Sequence, residues 1–253
     1  MKALVTGASS GIGWHFANLL SKEGYDLVIT SRDTERLNHL AIEFQQKMGS
    51  QVEVITADLT TDHGIKLIED RLGNGDIDVL INNAGYGLNK AFSNSDVKDE
   101  IAVLKILCEA PMRFAHAVIP SMVEKNSGII INVSSVSAWI AGGHYSAMKS
   151  YLMVLSESLH AELAETAVKV CSLAPGFTHT EFHQRGKMKM TGLPKFMWLT
   201  TKQVVEKSWA DLNSGKAISV AGWQYKLLSF VARYAPRSIV RKVGMNVRKK
   251  QRS

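Results

Sequence analysis

The chain has 253 residues, 45% of them hydrophobic and 21% charged, and a formal net charge of +7. That length and apolar content suit one α/β core. The two cysteines, Cys108 and Cys171, exclude a disulfide framework and a four-ligand zinc site and read as buried free thiols. No apolar run approaches the roughly 18 residues of a membrane span, and nothing before Ala3-Leu4-Val5 reads as a signal peptide, so a cytoplasmic protein without a metal is expected.

In chain order, short β-branched runs at residues 2–6, 27–31, 52–57, 77–81, 129–133, 168–173 and 217–220 read as strands. Amphipathic patterns near 12–23, 34–48, 62–73, 97–124, 145–165 and 202–213 read as the helices between them. Continuous Val/Ile/Leu runs imply strands covered on both faces. With right-handed crossovers this alternation predicts a single Rossmann-type doubly wound α/β domain over residues 1–222. Its mostly parallel seven-stranded sheet would bind ligands at the carboxyl ends of its strands. Residues 177–200 break the pattern: Phe177, Met188, Met190, Phe196, Met197 and Trp198 follow no single period. A lid of short helices is expected there, its apolar inner wall facing a substrate or else capping the core or a subunit interface.

Gly7, Gly11 and Gly13 follow the first strand and open a helix. Without a Cβ the backbone can approach a pyrophosphate there, and the helix N-terminus offers N–H donors. Tyr145 and Lys149 stand at i and i+4 on one helix face, where an ammonium can hold a phenol near the acidity that proton transfer requires. Asp58-Leu59 follows the third strand, Asn82-Asn83-Ala84-Gly85 the fourth, Ser134-Ser135 the fifth and Pro175-Gly176 with Thr178 and Thr180 the sixth. With these motifs in this order, the chain over about residues 1–222 resembles the short-chain dehydrogenases/reductases with a Thr-Gly-x-x-x-Gly-x-Gly cofactor motif.

The resemblance implies an NAD(P)-dependent oxidoreductase for a carbonyl or secondary alcohol. Tyr145 would act as general acid in reduction and base in oxidation. Lys149 would bind the nicotinamide ribose and lower the phenol's pKa, and Ser135 would hydrogen-bond the reacting oxygen, with Ser134 the competing serine. The glycines with Ser9, Ser10 and Ile12 would hold the pyrophosphate. Asp58 and Leu59 would meet adenine, Asn83, Ala84 and Gly85 the adenosine side, and Pro175, Gly176, Thr178 and Thr180 the nicotinamide end. Where many relatives place an Asn for a proton relay stands Leu107, which neither donates nor accepts a hydrogen bond. Either protons leave through Lys149, the ribose and water held by backbone groups, or turnover is impaired. Pro111 should kink the same helix.

Cofactor choice rests on Leu27 to Asp33. Arg32 and Ser31 suit a 2′-phosphate, whereas a carboxylate about 20 residues beyond the glycines signals NAD. Asp33 follows the arginine rather than ending the strand and reads as the cap of the helix starting Thr34-Glu35-Arg36. NADP(H) is therefore expected, with NAD(H) the alternative.

After Asp211 come ten Lys or Arg and no acidic residue, so the preceding chain carries 20 basic against 23 acidic residues. In the basic extension 223–253, Trp223, Leu227, Phe230, Val231 and Tyr234 recur at helical spacing, and beyond Pro236 so do Ile239, Val240, Val243 and Val247. Such helices pack on the body or another subunit, or lie on an anionic membrane surface. Charge alone does not support nucleic acid binding. The expectation is an oxidoreductase for a lipophilic small molecule, built as a homo-oligomer by family resemblance. The rival is a cofactor-binding sensor or scaffold with lapsed catalysis, motivated by Leu107 and the basic extension.

Overall fold

Neighbouring residues of β1 (Lys2–Thr6) enter opposite layers: Ala3 and Val5 join one apolar cluster and Leu4 the other. A strand apolar on both faces has no solvent side, so helices must cover the sheet above and below. The computed structural model, which describes residues 1–182 and 194–252, has this arrangement. β2 (Asp26–Ser31), β3 (Val52–Thr56), β4 (Val79–Asn82), β5 (Gly128–Val133), β6 (Val168–Leu173) and β7 (Ile218–Ser219) join β1 in the order β3-β2-β1-β4-β5-β6-β7. Every pairing is parallel, where the sequence suggested a mostly parallel sheet. Val5 of β1 lies between Ile29 and Ile81.

One face is covered by α1 (Gly11–Lys22), α2 (Thr34–Met48) and α7 (Thr201–Asn213), which bring Phe16, Leu20, Leu37, Phe44, Val204 and Leu212 to the core. On the other lie α3 (Asp62–Leu72), α5 (Ala110–Glu124) and α6 (His144–Glu162), with Ile65, Ile68, Phe114, Val118 and Met148. Local chemistry sets the helix starts. Thr61 Oγ1 accepts from the Gly64 amide at 3.1 Å, and Thr200 with Gln203 forms a reciprocal capping box for α7. Cys108 and Cys171 are free and buried, and burial pushes their thiols up to about 11 and about 12.

Residues 97–124 are not one uninterrupted α-helix. α4 (Val97–Leu104) passes into a π-helical turn, Lys105–Glu109, before α5. Pro111 has no N–H for the carbonyl four residues back, that of Leu107, and its ring would collide with it. One wider turn removes the collision and keeps the helix path continuous.

α8 (Trp223–Tyr234) and α9 (Arg237–Arg252) follow β7. α8 packs on the body through Tyr225, 1% exposed in the same cluster as Phe16 and Val205. The Tyr225 hydroxyl accepts from the Phe177 amide at 2.9 Å and donates to the Met197 carbonyl at 2.5 Å. Its ring leaves no room at residue 176 for anything but glycine, since an added Cβ would lie 2.1 Å from a ring carbon. Tyr225→Phe would keep the ring and strand one buried N–H and one carbonyl, so a loss of about 1–3 kcal/mol is expected in urea unfolding. An unchanged midpoint and slope would mean that water replaces the hydroxyl.

Candidate active site

The strand order changes direction between β1 and β4, so the chain leaves their carboxyl ends toward opposite faces and opens a crevice. An open cavity of about 1430 Å³ lies there. That exceeds the ~300–1,000 Å³ of a pocket for one small ligand and leaves room for two.

The two diverging loops are latched together. Buried Thr6 Oγ1 donates to the Ile81 carbonyl at 3.2 Å and accepts from the amides of Asn83 and Ala84 at 2.9 and 3.0 Å. Asn83 Nδ2 returns two bonds, to the carbonyls of Thr6 and Gly7 at 2.9 and 3.2 Å. Gly13 sits against this latch: a Cβ would lie 2.3 Å from the Gly7 oxygen, so only glycine lets α1 start this close to β1. Ser10 caps α1 without a side-chain bond, and Gly7, Ser9, Ser10, Gly11 and Ile12 line the cavity. This cradle fits a dinucleotide pyrophosphate, because the first amides of α1 have no competing side-chain acceptor.

At the end of β2, Ser31 and Arg32 line the cavity. Asp33 Oδ1 accepts from the Arg36 amide at 3.0 Å as the cap of α2, and Ser31 Oγ accepts from the Asp33 amide at 3.2 Å. The Arg32 guanidinium lies 6.0 Å from the centre of the Tyr86 ring. Leu59, Asn83, Ala84 and Gly85 also line the cavity, whereas Gly13 and Asp58 do not. The Asp58 carboxylate is turned to its own loop, accepting from Thr60 N and Oγ1 at 3.0 and 2.8 Å.

On the β5 side, Ser134 and Ser135 part company. Ser134 is buried and its hydroxyl donates to the Lys149 carbonyl at 2.7 Å. Ser135 caps the turn Val136–Trp139 by accepting from the Ser137 amide at 3.1 Å, which leaves its hydroxyl proton for the cavity that it lines. Tyr145 and Lys149 of α6 face the same cavity, the ammonium 5.8 Å from the centre of the Tyr145 ring. Lys149 Nζ donates to the Val133 carbonyl at 2.6 Å, and burial lowers its pKa to about 8. His144, one residue before Tyr145, meets Glu100 of α4 at 2.5 Å and so ties down the start of α6. Pro175, Gly176, Thr178 and Thr180 complete the polar wall.

The remaining wall is apolar, and of it only Phe177 and Met197 were expected from the sequence to face a substrate. Ile140, Phe177, Phe182 and Met197 contribute, together with Leu228, Val231 and Ala232 of α8, Ala235 just beyond it, and Ile239 and Val240 of α9. The spacing 228, 231, 232, 235 was the available signal, adjoining the apolar stripe of Trp223, Leu227, Phe230, Val231 and Tyr234 that the sequence did show. Of the expected lid, Phe177 and Met197 face the cavity, whereas Phe196 is 59% exposed. Met188 and Met190 lie outside the described residues.

Fold and site together define a dinucleotide-binding oxidoreductase, and the comparisons agree. A family profile for short chain dehydrogenases matches residues 1–190. An uncharacterized oxidoreductase of Staphylococcus saprophyticus is 35% identical over 183 residues, covering 70% of this chain and 78% of that protein. A Sphingobium yanoikuyae short-chain dehydrogenase solved with NADPH superimposes with a TM-score of 0.84 at 28% identity, over 91% of this chain and 92% of that one. A bulky-bulky ketone specific alcohol dehydrogenase from Comamonas testosteroni gives 0.79 at 26% identity, over 93% and 98%. The chain belongs to the short-chain dehydrogenase family and is an NAD(P)-dependent oxidoreductase of that family.

Leu107 lies on the π-helical turn, 1% exposed among Ile106, Phe114 and Leu152 beside Lys149. Its Cδ2 closes on Gly85, where an added Cβ would be 2.4 Å away. Leu107→Asn would bury an amide in this packing, so the thermal midpoint should fall by the equivalent of about 1–3 kcal/mol, with no gain in turnover. A rise in turnover at unchanged midpoint would instead return the position to the proton path.

Proposed function

We propose that this oxidoreductase transfers a hydride between NADP(H) and the carbonyl, or secondary alcohol, of a lipophilic small molecule. The observation that carries the reading is one cavity in which Ser135, Tyr145 and Lys149 adjoin a wall of Ile140, Phe177, Met197, Leu228 and Val231. A polar reacting group would bind at the first set and an apolar body at the second. The other half, from the glycine loop to Arg32, is left for the dinucleotide.

Bound NADP(H) supplies or takes up the hydride. Tyr145 protonates the carbonyl oxygen during reduction and accepts the proton during oxidation. The Lys149 cation favours the phenolate across the short gap between them, most strongly in a site shielded from water. Among the described residues only one of its three N–H donors is taken, that to Val133, which leaves donors for ribose hydroxyls. Ser135 donates its free hydroxyl proton to the reacting oxygen. Since Leu107 offers no polar group, the proton path from Tyr145 runs through Lys149 rather than through a side chain of the π-helical turn.

Arg32 supports NADP(H): it stands at the cavity without a carboxylate partner among the described residues, while Asp33 is engaged as a helix cap. The same functional reading includes a homo-oligomer. Ile101 and Leu104 of α4 and Tyr151 and Val154 of α6 leave apolar surface exposed that a second copy would cover. The two free buried cysteines suit the reducing cytoplasm. A cofactor sensor with lapsed catalysis is the weaker reading, because all three reactive side chains face the cavity.

A panel of ketones and alcohols, followed at the nicotinamide absorbance with NADPH and NADH, tests the proposal. Tyr145→Phe should leave cofactor affinity intact and lower turnover about 10²–10⁴-fold; near-normal turnover would remove Tyr145 from the reaction. Arg32→Ala should weaken NADPH by about 1.5–3 kcal/mol and barely change NADH. Wild-type preference for NADH in the same titrations would overturn the assignment of Arg32.

A further inference from the structure

α8 presents three faces. Gln224, Tyr225 and Ser229 are buried against the body, and Leu228, Val231 and Ala232 line the cavity. Trp223, Leu227, Phe230 and Tyr234, spaced i, i+4, i+7 and i+11, form an outer stripe in which each residue is between 57% and 73% exposed. Phe196 widens it, its ring stacked on Trp223 at 6.4 Å. With about 100° of rotation per residue, the stripe is flanked on one side by Val231 and Leu228 and on the other by Lys226 and Arg233. Leu228, Val231 and Ile239 are 50%, 51% and 55% exposed while also lining the cavity. The cavity therefore opens through this surface, beside the stripe.

The charges that α8 and α9 bring to the opening are all of one sign. Lys226, Arg233, Arg237, Arg241 and Lys242 are exposed, no acidic residue follows Asp211, and among the described residues none of the five meets a carboxylate. Arg233 and Arg237 rest on the Trp139 ring and carbonyl, at 5.9 and 3.4 Å. A second copy docked symmetrically here would set cation against cation. An anionic lipid surface offers what the face lacks, an apolar layer beneath negative headgroups. Among the described residues no helix is long and apolar enough to cross a membrane, so any contact is along the surface.

We infer that α8 and the start of α9 dock on an anionic lipid surface with the cavity mouth turned to the lipid, so that the carbonyl or alcohol enters from the membrane. The identity of the entering molecule rests on the function proposed above, whereas the docking does not require catalysis. The full chain is incubated with phosphatidylcholine vesicles, with and without phosphatidylglycerol, and bound protein is measured by flotation at low and high salt. Binding is expected only with phosphatidylglycerol and should weaken as salt rises. Lys226→Gln with Lys242→Gln should weaken it by about fivefold per charge removed, and Leu227→Ser with Phe230→Ser should abolish it. NADPH affinity should stay unchanged in both, since none of the four residues lines the cavity. Equal binding to both vesicle types, or no loss in either variant, overturns the inference. So does a stripe variant that turns a dimer into a monomer in ultracentrifugation while the wild type ignores the vesicles, which would assign the face to a second copy. Failure of the oxidoreductase reading would instead appear in the turnover assays and leave vesicle binding untouched.

Discussion

A buried ammonium is the constraint around which the site is arranged. Lys149 is 5% exposed, and a cation so far from bulk water is costly unless its donors are used. The Val133 carbonyl takes one donor at the end of β5, which fixes the distance between sheet and helix. The rest of α6 is held to match. Ser134 bonds the Lys149 carbonyl, and Asn82, Asn132 and Ser156 form a chain of 2.9 Å bonds from β4 through β5 to α6. The His144–Glu100 contact secures the start of the helix. Tyr145 inherits its position from these bonds, because it lies one turn before the lysine on the same rigid element.

The sheet was legible because its physics is local. Runs such as Ala3-Leu4-Val5 and Val79-Leu80-Ile81 alternate between two apolar clusters, and only a strand covered on both faces has that composition. Asp33 was legible for the same reason: a carboxylate three residues ahead of an amide it can accept from is a cap whatever the tertiary fold. The π-helical turn was not. It adds one residue to a helical period without changing which residues are apolar, so Pro111 announced a kink but not its form. Asp58 shows a different limit. Its place after β3 was evident, yet whether the carboxylate faced a ligand or its own loop depended on Thr60, a choice between two hydrogen bonds of equal chemistry.

The extension beyond residue 222 illustrates how composition obscures packing. Ten cations drew attention to the charge, while one tyrosine decided the docking of α8. Tyr225 carries no signature distinguishing it from Tyr234, 73% exposed at the other end of the helix. The difference lies in what each meets, Gly176 and two backbone groups for one and solvent for the other. As a result, the apolar wall of the cavity is supplied largely by the part of the chain that reads least like an enzyme, beyond the stretch matched by the family profile.

The Tyr225 hydroxyl has a consequence for how this protein can diversify. It holds the Phe177 amide and the Met197 carbonyl at once, so both ends of the intervening segment are clasped by a single side chain anchored in the core. For a segment with fixed ends, the entropy of closure grows only with the logarithm of its length, about 0.6 kcal/mol for each doubling. A change in the number of residues between those ends would therefore add little to the entropy of closing the chain there. The clasp itself does not depend on how many residues it encloses, so drift in that number need not be compensated by the hydroxyl that closes it.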